Sequence, residues 1–308
     1  MEQIVFPQVI DNTMRKSFKN CSTLFYYDHL RNLKPIRPSI HLHAGAAFAK
    51  GHEAARRAFY GDKTDVFTAE LAGKAALTEF YGDFDERYGY TEHAKSLAGM
   101  LRAFEGYYIE YPLGKDPVVP LMTGTGPAVE FSFAIPTEVK HPLSGDPILY
   151  AGKFDMLGIR DNALWVVDEK TTGSLGAQWR NQWDLNSQFT GYCAGAKAFN
   201  YPVIGALIRG VGILKTKITH EQVPIYRPDW IIERWWEQLQ RDIVGMIRIW
   251  ETAIDNPRKI DLNLSDACSA YGTCIFKDLC LSNDPENWIP GNYDVRVWNP
   301  LAARGDVE

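Results

Sequence analysis

Apolar residues dominate positions 148–160 (ILYAGKFDMLGIR) and open 163–172 (ALWVVDEKTT), on either side of Asp161-Asn162. Asp and Asn tolerate the positive φ of a two-residue hairpin turn, so the stretch predicts two antiparallel strands. Centring the register between 161 and 162 sets Asp155 opposite Asp168, with Lys170 two residues further along the same face. Glu169 then turns to the other face. Ile148, Leu149, Phe154, Met156, Leu157 and Ile159 on one strand, and Leu164, Trp165, Val166 and Val167 on the other, suit burial on both faces. Like charges directly opposed across a strand pair destabilise it, and buried carboxylates need a partner. A divalent cation with oxygen ligands is the partner this pair invites.

Around this hairpin the pattern predicts helices and strands in alternation. Residues 12–33 carry the helical stripe Phe18, Cys21, Leu24, Phe25 and Leu30, ended by Pro35 and Pro38. Residues 44–59 (AGAAFAKGHEAARRAF) form a second helix, small enough in its side chains to pack closely on a neighbour. Residues 64–111 continue as helices with Leu71, Leu77, Phe80, Leu97, Met100, Leu101 and Phe104 at core spacing. A strand follows at 128–136, with Glu130 near its start, and then the hairpin. After it come a helix at 179–199, which sets Gln188 and Tyr192 on one face, a strand at 203–213 and a long amphipathic helix at 228–254. The tryptophans of that last helix, Trp230, Trp235, Trp236 and Trp250, read as core, with stacking on single-stranded bases as the alternative. The whole predicts an α/β fold, a mixed central sheet flanked by helices, with no internal repeat and no low-complexity segment.

The chain has 308 residues, 45% of them hydrophobic and 13% aromatic, ample for a sizeable core. No apolar run approaches the ~20 residues of a membrane span, and the first residues lack the apolar segment of a secretory signal, so the expectation is a cytoplasmic protein with no membrane partner. A net charge of −5 works against binding a polyanion through the global field. Phosphate contacts would come from local basic groups, for which Arg56 with Arg57, Arg209, Lys215 and Lys217 are candidates. Of the five cysteines, Cys268, Cys274 and Cys280 form C-x5-C-x5-C, Cys21 stands far upstream and Cys193 follows Tyr192. In a reducing compartment such clustering points to metal rather than disulfides. The spacing leaves zinc and iron–sulfur both open.

G-x-x-D at Gly152 and Asp155, V-V-D-E-K-T at 166–171 and Q-x-x-x-Y at Gln188 and Tyr192, in that order, resemble the PD-(D/E)XK nuclease superfamily in its RecB-like branch. The resemblance implies a single nuclease domain over 1–308, with a helical insertion at 60–125, the catalytic core at 128–225, and a cluster-binding segment at 260–285 packed with 12–33. It implies metal-dependent cleavage of DNA, with Mg²⁺ or Mn²⁺ held by Asp155, Asp168 and the backbone carbonyl of Glu169. Lys170 stands beside the attacking water, and Gln188 and Tyr192 face the site. Glu130 would be a further ligand. Related nucleases carry G-x-x-x-H on the early helix; counted from Gly45, Ala49 stands where that histidine would be, and His52, one turn later, is the substitute candidate.

RecB-like exonucleases of the CRISPR-associated and AddB types hold a four-iron four-sulfur cluster with one cysteine before the core and three after it. Cys21 with Cys268, Cys274 and Cys280 matches that order, although C-x5-C departs from the C-x2-C-x5-C of several members. The expected activity is a DNA exonuclease acting on ends or single strands, in a bacterial, archaeal or viral setting. Its partners would be DNA and a recombination, repair or CRISPR-adaptation protein. A fold-retaining protein that binds nucleic-acid ends or a partner without catalysis is the alternative, and a zinc protein is the third.

Overall fold

The computed structural model describes residues 4–269 and 273–301. The chain divides into two compact units, one made of Pro38–Phe133 and Lys153–Ile232, the other of Met1–Arg37, Ala134–Gly152 and Glu233–Glu308. The fold is mixed α/β with a mixed sheet flanked by helices.

The first of these units opens with helix α1, Ile40–Arg56, which runs on into a wider turn at Arg57–Gly61. Helix α2, Val66–Tyr81, is started by Asp65, whose carboxylate accepts the Thr68 N–H at 3.0 Å. Helix α3, Leu97–Glu110, is started in the same way by Ser96. The small residues of α1 serve the close packing expected of them. A Cβ on Gly51 would lie 3.1 Å from the Gly73 carbonyl of α2, and one on Gly73 would lie 2.8 Å from the Gly51 carbonyl. Both helices and α3 share a core that includes Phe48, Leu77, Phe104 and Tyr107.

Five strands follow: β1 (Val129–Lys140), β2 (Pro147–Arg160), β3 (Ala163–Thr172), β4 (Val203–Ile213) and β5 (Ile218–Tyr226). Strands β2 and β3 are antiparallel, β3 and β4 parallel, β4 and β5 antiparallel. The parallel pair is joined by helix α4, Ser187–Ala198, as a crossover requires. The helix expected at 179–199 is divided into Ala177–Asn181 and α4, because Asn186 leaves the helical region and its side chain accepts the Gln188 N–H at 3.0 Å. Strand β5 was not foreseen. Its sequence ITHEQVPIY is polar, half-exposed and contains Pro224, a composition suited to the sheet edge it occupies.

In the other unit the expected helix at 12–33 is broken. Asn12–Asn20 is capped by Asp11, and Cys21 adopts an extended conformation (φ −166°, ψ 132°) before Ser22–Phe25 resumes the helix. Val9–Ile10 pairs in parallel with Leu149 and Tyr150. Arg15 and Asp242 form a buried ion pair at 2.8 Å.

Candidate active site

The turn between β2 and β3 holds Asp161 at φ 51° and Asn162 at φ 61°, positive at both central positions as a tight two-residue hairpin needs. The ladder runs from Arg160 opposite Ala163 to Met156 opposite Val167. One step further along both strands stand Asp155 and Asp168, 5% and 0% exposed. Here the pairing changes: the Glu169 N–H donates to Asp155 Oδ2 at 2.7 Å, so a carboxylate takes a backbone donor of the opposite strand. Lys170 Nζ lies 2.5 Å from Asp168 Oδ2 and 5.6 Å from the centre of the Phe189 ring on α4. On the same helix Gln188 Nε2 donates to the Tyr192 hydroxyl at 2.7 Å, and the Tyr192 ring sits 5.6 Å from that of Phe154.

Behind the strand, Glu169 enters a buried polar network. Arg56 of α1 donates to both of its carboxylate oxygens, at 2.5 and 3.2 Å, and the Tyr107 hydroxyl of α3 donates at 2.8 Å. Arg209 of β4 donates to the same tyrosine oxygen at 3.0 Å and makes a two-pronged pair with Asp116 at 2.7 and 2.8 Å. Burial alone would raise the Glu169 carboxyl, but Arg56, then Arg209 and Tyr107, outweigh it and hold it down at about 2. The middle residue of D-E-K therefore does two things: its backbone holds Asp155, and its side chain anchors the strand to α1 and α3.

The family profile described as the PD-(D/E)XK nuclease superfamily matches residues 13–281. The chain belongs to the PD-(D/E)XK nuclease superfamily. No match is found among the curated proteins. Among solved structures, the chain is similar to a protein of Eubacterium rectale titled "Putative exonuclease". That likeness has 13% identity and a TM-score of 0.48, and spans 87% of this chain and 89% of the other. It is also similar to a protein titled SSO0001, again at 13% identity, with a TM-score of 0.28 over 81% of this chain and 98% of that one.

Within this nuclease-superfamily chain the remaining candidates separate. His52 of α1 is 1% exposed; its Nδ1 lies 3.0 Å from the Tyr108 hydroxyl and its Nε2 has no hydrogen-bond partner among the described residues. Burial, then the charge of Arg56, push this imidazole well down, while the charge of Asp155 acts the other way. Glu130 adopts φ 52° on β1 and pairs with Lys153 at 2.8 Å. Lys153 shares a face of β2 with Asp155.

Arg56 and Arg209, read from the sequence as phosphate contacts, are corrected by the structure: at 4% and 1% exposed, both are turned inward onto carboxylates. Lys215 is exposed, and its carbonyl accepts a hydrogen bond from Arg102. Sequence reasoning missed Lys153, Tyr107 and Asp116, since nothing local distinguishes a network residue from a surface charge or a core ring.

Cys21, Cys268, Cys274 and Cys280 are all partly exposed. Burial, then the charges of Cys21, Cys274 and Cys268, push the Cys280 thiol up to about 11, so the four sulfurs act on one another. Thr23 Oγ1 donates to the Asp261 carbonyl, and Asn263 to the Asn20 carbonyl, tying the two cysteine-bearing stretches together. Residues 270–272, inside the cysteine segment, lie outside the described residues. Among the described residues no three His, Cys, Asp or Glu side chains stand in metal-holding geometry.

Proposed function

We propose that this chain is a metal-dependent DNA nuclease, an exonuclease acting on ends or single strands by hydrolysis of the phosphodiester. The observation that carries the reading is the buried pair Asp155 and Asp168 at the end of the β2–β3 ladder with Lys170 on Asp168. Two buried carboxylates side by side suit Mg²⁺ or Mn²⁺, and the partnerless Nε2 of His52 offers a further donor. Asp155, Asp168 and the backbone carbonyl of Glu169 would hold the cation, with His52 and Glu130 as additional candidates. The ion, when bound, supplies Lewis acidity toward a water molecule and the phosphoryl oxygens.

The chain's own groups do the rest. Lys170 orients the attacking water and meets negative charge as it develops on the phosphoryl oxygens. The Glu169 N–H, bonded to Asp155 Oδ2, fixes the rotation of that carboxylate. Gln188 and Tyr192, bonded to each other, stand on α4, the helix whose Phe189 ring lies beside Lys170. The exonuclease assignment rests on the RecB-like order of motifs.

Lys170→Ala and Asp155→Ala proteins are to be assayed on end-labelled single- and double-stranded DNA with Mn²⁺. We expect each to lose at least about a hundredfold in rate, within the range for removal of one electrostatic group; undiminished cleavage by both refutes the assignment. A protein that shifts DNA in a gel but cuts no substrate would instead support the binding-only reading, whose motives are Ala49 at the histidine position of G-x-x-x-H and the net charge of −5.

The four cysteines are proposed to carry a four-iron four-sulfur cluster as a structural tie. Anaerobic preparations should then be brown with absorption near ~400 nm, whereas a colourless, zinc-containing protein would decide for zinc.

A further inference from the structure

With Arg56 and Arg209 paired to carboxylates inside the fold, the proposed nuclease has two fewer candidates for holding the DNA backbone. A lysine that the sequence did not mark stands in a better place. Lys95, just ahead of helix α3, is 4% exposed, and its ammonium donates to the Thr171 hydroxyl at 2.9 Å and to the Thr171 carbonyl at 3.2 Å. Thr171 directly follows Lys170. No carboxylate lies within ion-pair distance of Lys95 among the described residues, and both bonds go to neutral oxygens, leaving one N–H direction of the three unspent.

The Tyr81 hydroxyl donates to the Lys95 carbonyl at 2.8 Å, and two histidines stand nearby. The Lys95 backbone N–H donates to His93 Nδ1 at 3.0 Å, and the His93 ring packs edge-on against His41 at 5.6 Å. Burial, then the charges of Lys95 and His93, depress the His41 imidazole, so the positive charge here is that of Lys95, and His93, which accepts at Nδ1, keeps Nε2 to donate. Burial alone pulls Lys95 down to about 8. A cation kept out of water without a counter-charge is costly, and such a cation beside two imidazoles able to donate N–H is complementary to an anion.

We propose that Lys95, with His41 and His93, is a phosphate-binding subsite that holds the nucleic-acid phosphodiester neighbouring the one cut at Asp155, Asp168 and Lys170. This rests on the nuclease reading. It adds a backbone contact supplied by the helical segment, one residue from the lysine of D-E-K.

The test uses the full chain in EDTA, where binding is read without cleavage. Anisotropy of fluorescein-labelled single-stranded and duplex DNA is titrated with wild type, K95M, K95R and the H41Q/H93Q double variant across a salt series. We expect K95M to weaken binding about tenfold and to reduce the slope of log K against log[salt] by about 0.9, the loss of one phosphate contact. K95R should keep most of the affinity, and H41Q/H93Q should lose less than K95M. With metal restored, K95M should raise KM while holding kcat within about twofold, and its thermal midpoint should stay within a few degrees of wild type. A K95M protein that binds as tightly as wild type with the same salt slope overturns the subsite, even if wild type cuts DNA. A fall in affinity that merely follows a fall in thermal midpoint, and that K95R shares, also overturns it. Wild type that neither binds nor cuts DNA overturns the nuclease reading as well.

Discussion

Glu169 works at both ends. Its N–H holds Asp155 and its carboxylate is gripped by Arg56 and Tyr107, so a change in the side chain should reach the carboxylate pair through the backbone. Glu169→Gln leaves Arg56 buried beside a neutral amide. Loss of one partner of a buried pair costs about 3 kcal/mol or more, which a urea melt should show as a lower midpoint at unchanged slope. The pH dependence has a definite sign. The carboxyl is held at about 2 in the fold against an ordinary 4.5. Its contribution to stability is therefore complete above about pH 4.5, falls as pH drops from there through 2, and is absent in Glu169→Gln. Wild type and variant melts taken between pH 6 and 2 should converge; parallel curves would exclude Glu169 as the source. Strand alternation was enough to turn Glu169 away from Asp168. Its partner was not legible, because Arg56 is 113 residues distant and the small residues of α1 do not mark which face turns inward.

The hairpin was legible as an element because its information is local. A dipeptide tolerant of positive φ, flanked by apolar runs, sets the register, and the register sets the face of every residue. Inserting one residue between Asp161 and Asn162 should therefore abolish cleavage while helix content by circular dichroism is retained. Asn162→Val, a β-branched residue at φ 61°, should cost about 1–2 kcal/mol without loss of activity in the folded fraction. The α1–α2 crossing is equally specific: a Cβ at Gly73 would stand 2.4 Å from the Phe104 ring and 2.8 Å from the Gly51 carbonyl. Gly73→Val should destabilise by about 1–3 kcal/mol in a denaturant melt. Other boundaries escaped local reading. Cys21 interrupts a helical stripe by going extended, Asn186 restarts a helix as its cap, and β5 shows polar residues because one edge of a sheet faces solvent.

At the scale of the molecule, the unit containing Cys21 is assembled from three stretches of chain, so its early and late residues meet only on folding. Cys21→Ser and Cys280→Ser should each lower the thermal midpoint by several degrees and remove any absorption near ~400 nm; unchanged melting and colour would detach the cysteines from the fold's stability. The charge of −5 already required that phosphate contacts be local. Periodicity and turn chemistry along the chain were enough for the α/β class, the D-E-K hairpin and the placing of Asp155 and Asp168 one step beyond its ladder, because each of these is set locally. Only the tertiary structure decided which cations face inward and which base stands at the end of the D-E-K strand. Those are questions of side-chain direction between elements far apart in sequence, where Arg56, Arg209 and Lys95 are alike in charge and differ only in what the fold brings to them.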